Sequence, residues 1–296
     1  MSTLSRLPVL LLFVAIAGWA QTPEPEAPAD PNAAVWQAAN EAMIHGPQSV
    51  DLLNQARIQL PEGFGFVPHD PAAKVMEAMG NQTGSSFIGL IFPLAEKGWF
   101  VTVDYEKSGY IKDDEARDWD ADGLLKNLRE GTEASNDDRQ KRGIAPIKVT
   151  RWIESPAYDS GVHQLVWSAE VRLRDGEDPD PGVNYNTYVL GRDGFISLNL
   201  VTAVSSVEQD KRAAHELLTA TTFNEGKRYA DFDSSTDKVA GYGIAALVGG
   251  VVAKKLGLLA VIAAFLVKFA KVILIGFAAM GGGIAKWWKS RSQPQE

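Results

Sequence analysis

The sequence predicts an α+β protein: an antiparallel sheet with helices packed on one face, followed by C-terminal transmembrane helices. Three observations carry that expectation. Between residues 48 and 201, runs rich in Val, Ile, Phe, Tyr and Thr are punctuated by Gly, Pro and Asp, the pattern of short strands joined by tight turns. Helical stretches fall at residues 32–45, 70–79, 113–142 and 206–218, which suits helices laid against a sheet. Residues 239–285 are apolar, interrupted by Lys254, Lys255, Lys268 and Lys271. As a helix rising about 1.5 Å per residue this stretch would run roughly 70 Å, about twice a bilayer core.

In chain order, residues 1–20 read as a secretory signal. Arg6 supplies the positive start, residues 7–18 the apolar run, and Gly18-Trp19-Ala20 a small-x-small cleavage site. Residues 21–31 form a linker rich in Pro and acids, a composition that builds no core. The α+β domain is expected over residues 32–232. Its first helix, with Trp36 and Met43, ends at Gly46-Pro47. Residues 49–60 read as one or two strands, Pro61-Glu62-Gly63 as a turn and residues 64–67 as a strand. Asp70 is then a candidate N-cap for a short helix to Met79. Residues 87–93 and 99–105 suit a hairpin.

The charged region 113–142 carries Leu124, Leu125 and Leu128 at one-face helical spacing. Strands resume at residues 147–153, 164–173, 184–190 and 195–201, the last two meeting at the turn Gly191-Arg192-Asp193-Gly194. Residues 175–181 are an acidic surface loop and residues 206–218 the last helix of the domain. Residues 233–290 are the expected membrane anchor, a helical hairpin or else a single span ending at Lys286-Trp287-Trp288-Lys289-Ser290-Arg291, and residues 291–296 a tail.

Charge sorts sharply along the chain. The net charge is −8, yet residues 239–296 carry seven Lys and Arg against one Glu, leaving 22 basic and 36 acidic residues ahead of them. An acidic domain repels a phosphate backbone, so nucleic-acid binding is not expected, whereas a basic tail suits anionic lipid head groups. There are no cysteines, which excludes disulfides, thiolate metal sites and a cysteine nucleophile.

The candidate constellations are modest. Asp118-x-Asp120-x-Asp122-Gly123 matches the first half of a calcium loop, but Arg129 occupies the position that requires a bidentate Glu. Acids at a helix start, with Asp122 as cap, explain the same pattern. His45, His69, His163 and His215 lack ligand spacing, so no metal and no cofactor is expected. Ser235-x-x-Lys238 has the spacing of a serine-lysine pair and reads better as a polar junction. The polar set Asp113, Asp114, Asn136, Arg139, Tyr158, Asp159, Asn184 and Arg192 is the candidate ligand or acid/base site, if the sheet gathers it.

Several motifs in order carry a resemblance. Gly109-Tyr110-Ile111-Lys112-Asp113-Asp114, Asn136 with Arg139, Trp152 with Pro156-x-Tyr158-Asp159, Trp167, Asn184-Tyr185, Leu190-Gly191-Arg192-x-Gly194 and Asp237-Lys238-Val239-Ala240-Gly241-Tyr242-Gly243 resemble a bacterial family of predicted membrane-anchored proteins, domain-of-unknown-function family 2167. The resemblance implies a bacterial envelope location and brings no activity. The run from Leu60 to Phe66, a central antiparallel sheet and a late helix entering Thr221-Thr222-Phe223 are similar in outline to PsbP-like α+β domains.

In the anchor, Gly241, Ala245, Gly249 and Ala253 recur every four residues, a stripe that lets another helix approach closely. Lys254-Lys255 fits a cytoplasmic turn, with the soluble domain in the periplasm and the anchor in the inner membrane. Lys268 and Lys271 lie mid-helix. At roughly 2.5–3.5 kcal/mol each they nearly offset the insertion energy of the flanking apolar residues, which suits either side chains that snorkel from an interfacial helix or contacts within an assembly. The expected partners are therefore the lipid bilayer and other membrane proteins or further copies of the chain. The leading expectation is a non-enzymatic interaction or scaffold module, with a small-ligand-binding domain or an enzyme built on the polar set as alternatives.

Overall fold

In a computed structural model, the structure describes residues 32–95, 97–141 and 143–249. The chain opens with α1 (Ala33–Glu41), the short β1 (Ile44–His45), and a hairpin of β2 (Gln48–Leu52) and β3 (Ala56–Leu60). It continues through β4 (Phe64–Pro68), α2 (His69–Ala78), β5 (Phe87–Pro93) and β6 (Phe100–Glu106). A 3-10 turn at Asp114–Arg117 precedes the long α3 (Ala121–Lys141). Then come β7 (Ile147–Asp159), β8 (Gln164–Leu173), β9 (Gly182–Leu190), β10 (Phe195–Ala203), α4 (Val207–Ala220), β11 (Thr221–Phe223) and the one-turn α5 (Ala246–Gly249).

Eight strands form one sheet in the order β1-β4-β5-β6-β10-β9-β8-β7, and three form a second, β11-β3-β2. All named pairings are antiparallel. The edge strand β7 shifts register at three places against β8, bends that blunt an otherwise exposed edge. In the small sheet, Val50, Leu52, Ala56, Ile58 and Leu60 alternate inward with exposed residues, a period of two that buries one face.

The expected packing of helices on one face is corrected: helices lie on both. On one face α4 and the small sheet cover Val101, Val103, Tyr185, Ile196, Leu198 and Leu200. On the other, α1 and α2 cover Val67, Leu90, Phe92 and Phe100. At the far end of that second face α3 and α5 cover Leu165, Trp167, Ala169 and Val171. The reason lies in the central strands. Every residue of β10 is buried, and Phe195 and Val201 need cover on the face opposite Leu198.

Local chemistry explains how α3 is set. The Asp120 carboxylate accepts the Asp122 N–H at 3.1 Å and its carbonyl accepts the Leu124 N–H at 2.9 Å, so Asp120 rather than Asp122 caps the helix. Arg129, which spoils the calcium pattern, instead donates to the carbonyls of Val149 and Thr150 and braces the helix against β7. Among the described residues no group of three His, Cys, Asp or Glu side chains is arranged to hold a metal. Among them, too, no helix is long and apolar enough to cross a membrane. The expected signal, the linker, and the anchor from residue 250 on lie outside the described residues.

Candidate functional site

The structure disperses the sequence-predicted polar set and gives most members local work. Asn136 is buried on α3, where its amide accepts the Ile147 N–H at 2.9 Å and donates to the Ile147 carbonyl at 2.9 Å. Arg139 is fully buried and donates twice to the Ala145 carbonyl, at 3.0 and 2.7 Å. Together they hold the α3–β7 connection. Asp159 accepts the Gly161 N–H at 2.8 Å in the β7–β8 turn, and Asp114 is exposed in the 3-10 turn.

Two members, Tyr158 and Asp113, do meet, and His163 joins them. The Tyr158 hydroxyl donates to Asp113 at 2.7 Å and lies 3.0 Å from His163 Nδ1, while His163 stacks on Tyr229. Burial, then the Asp113 carboxylate, pushes the Tyr158 phenol far above its ordinary pKa. A phenol so held stays protonated and serves as a donor, not a general base. A similar arrangement on the other face joins Tyr185 to Glu154 and His215, both at 2.7 Å, and burial followed by Glu154 raises that phenol as well.

Arg192 has a different role. Its guanidinium forms a two-pronged pair with Asp237 at 2.7 and 2.9 Å, and that hydrogen bonding holds the Asp237 carboxyl well below the usual carboxylate range. The pair clamps the β9–β10 turn to residues 233–249, which then run along the domain. Tyr110 bridges Val239 in parallel, the Ala245 N–H donates to Glu115 at 2.9 Å, and Trp167 Nε1 donates to the Leu247 carbonyl at 3.0 Å. Of the expected small-residue stripe, Ala245 packs on the α3 cluster. A Cβ on Gly249 would lie 3.2 Å from Leu124, so that glycine permits close contact with α3. A Cβ on Gly241 would meet open space. Ala253, Lys268 and Lys271 lie outside the described residues. Ser235 donates to Asp233 at 2.7 Å rather than pairing with Lys238.

The arrangement that sequence reasoning missed lies between α2 and α3, on the middle strands of the second face. Register sets Thr102 of β6 beside Asn199 of β10, and Asn199 beside Asn186 of β9. One row on, Asp104 stands beside Ser197, and Ser197 beside Tyr188. Asn184 adjoins this island on β9. Thr102, Asp104, Asn186, Ser197 and Asn199 are buried. Ser86 donates to Asp104 at 3.1 Å and Asn186 to the Asn184 carbonyl at 3.0 Å. The hydroxyls of Thr102 and Ser197, both polar atoms of the Asn199 amide and Asn184 Oδ1 are buried without a hydrogen-bond partner among the described residues. Such groups cost about 1–3 kcal/mol each when left unmet. Burial, with Asp104 and Tyr242 nearby and despite Trp167, raises the Tyr188 phenol, so a neutral tyrosine borders the island.

A signal for this island was present. In β6, β9 and β10 polar residues recur at every second position opposite an apolar face: Thr102 and Asp104, Asn184 and Asn186, Ser197 and Asn199. Only register reveals that they are neighbours. Amides and hydroxyls with one carboxylate offer both donors and acceptors, chemistry suited to recognising a polar or singly cationic group.

The fold and these contacts define an α+β domain whose closing segment is bound onto it. The chain belongs to a family described as Protein of unknown function (DUF2167), whose model matches residues 44–281. No curated protein matches it. Among solved structures, the chain is similar to the solution structure of cyanobacterial PsbP (CyanoP) from Synechocystis sp. PCC 6803. The identity is 13%, over 62% of this chain and 93% of that one, with a TM-score of 0.37. A likeness at that score carries no argument about function.

Proposed function

We propose that this protein is a membrane-held, non-enzymatic binding module of the bacterial envelope, with the buried polar island of the central sheet as its ligand site. The observation that carries the reading is the set of buried groups on Thr102, Asn184, Ser197 and Asn199 that find no partner among the described residues. A fold seldom keeps such groups together unless something else meets them. In this reading residues 1–20 direct export and residues 250–285 hold the chain in the inner membrane with the domain in the periplasm. Ala253, Lys268 and Lys271 are then contacts to other membrane proteins or further copies. The apolar run after Gly249 and the basic tail support that placement.

An enzyme built on the Asp/Asn/Arg/Tyr set has less support, because Asn136, Arg139 and Arg192 are engaged in bracing loops. Membrane fractionation tests the placement. The full chain is expected to resist carbonate extraction, and a chain ending at Gly249 to appear in the periplasmic fraction. Recovery of the full chain as a soluble protein, or retention of the shortened one, would contradict it.

A further inference from the structure

Among the described residues three large hydrophobic side chains are exposed: Leu53 at 55%, Val162 at 53% and Val239 at 40%. Single exposed apolar residues are ordinary, but these three share one end of the sheet. Leu53 tips the β2–β3 hairpin, and the adjacent Gln55 receives the Tyr105 hydroxyl at 3.4 Å, itself 3.5 Å from the Asp193 carbonyl. Val162 tips the β7–β8 hairpin beside His163, whose carbonyl accepts the Leu190 N–H at 2.9 Å. Val239 follows Asp237, the partner of Arg192. All three thus surround the turn at residues 191–194.

Leu53 has φ +59, followed by Asn54 at +55. That left-handed pair is ordinarily supplied by Asn, Asp or Gly. A leucine there meets both a conformational cost and exposure to water, and a glycine would relieve both. His163, at φ +54, presents Val162 in a comparable way.

We propose that this end of the domain rests in the lipid headgroup region of the membrane, with Leu53, Val162 and Val239 as shallow apolar contacts. The proposal rests on the anchored reading above and adds an orientation to it. Separate apolar tips, rather than one contiguous patch, suit a bilayer interface better than a protein partner. Lys112 and Lys238 are exposed among the tips, as are Asp51, Asp114 and Asp159, while Lys107 pairs with Asp193 and Arg228 with Asp231, so this end sets charges of both signs beside its apolar tips, as the headgroup region of a bilayer does. The clamp from Arg192 to Asp237 ties this same end to the segment leading toward residues 250–285.

The absence of cysteine permits a clean test. Full chains carrying L53C, V162C, V239C or, at the opposite end, E177C are labelled with an environment-sensitive fluorophore and reconstituted into phosphatidylcholine–phosphatidylglycerol vesicles. The three tip labels are expected to shift blue and to be roughly halved in intensity by shallow doxyl lipids, as fits an insertion of about 5–10 Å, while the E177C label is unaffected. Tip labels that stay as in water overturn the proposal, as do blue-shifted labels that doxyl lipids do not quench, which would signify protein contact. A chain that does not float with the vesicles overturns anchoring itself, and the contact with it. A chain that floats with unquenched tips overturns the contact alone.

Discussion

Replacing Asn136 by alanine is expected to destabilise the domain by about 3 kcal/mol, the cost of leaving a buried N–H and a buried C=O unmet. The carboxamide is matched to the Ile147 backbone on both sides, at 2.9 Å each. This is the point where α3 is returned to the sheet through the α3–β7 connection. Asn136→Asp should be no milder, because it keeps the acceptor but loses the donor and buries a charge. Urea denaturation followed by tryptophan fluorescence measures both variants. An Asn136→Ala change below about 0.5 kcal/mol, the range of ordinary surface substitutions, would show that the pair does not hold the connection.

Gly194→Ala is expected to be at least as damaging. Gly194 has φ +151, and a Cβ there would lie 2.0 Å from the Glu106 carbonyl oxygen and 3.0 Å from its carbon. Those atoms belong to the backbone of β6, the hydrogen-bonded neighbour of β10, so relief requires the strand to move. The loss should exceed about 3 kcal/mol, combining left-handed strain with overlap. It should also loosen the turn that receives the Arg192 clamp. Gly98→Ala is the control, since a Cβ there meets open space. Equal melting temperatures for the two variants would contradict the prediction.

Much of the fold could be read from residues whose signals are local. The turn at Gly191-Arg192-Asp193-Gly194 joins the strands expected of it, and the hairpin of residues 87–93 and 99–105 appears as β5 and β6. The second helical layer was not legible, because Phe195 and Val201 look like the out-facing residues of a half-buried strand until the neighbouring strands are known. Nor was the use of Asn136 and Arg139, whose partners are carbonyls and amides that side-chain patterns do not encode. The polar set suggests one candidate site because its residue types suit chemistry. The sheet brings Tyr158 to Asp113 and His163 while placing Arg192 with Asp237, a residue read as part of the anchor. Residues 241–249 carry a small-residue period that suits a membrane helix and equally serves close packing of Ala245 and Gly249 on the domain. The island is hidden in the sequence for a related reason. Ser197 and Asn199 have the alternation of a solvated face, and burial is a property of the assembled sheet.

An island kept for recognition carries a stability cost that apolar replacements remove. Thr102→Val is nearly isosteric and Asn199→Leu similar in shape, and both replaced groups lack partners among the described residues. The unfolding free energy of these variants, measured by urea denaturation of the otherwise unchanged chain, therefore tests the central claim most directly. Each is expected to be more stable than the native protein by about 1–3 kcal/mol. A loss of stability in either would contradict the account, since it would mean that the Thr102 hydroxyl or the Asn199 amide serves the fold itself.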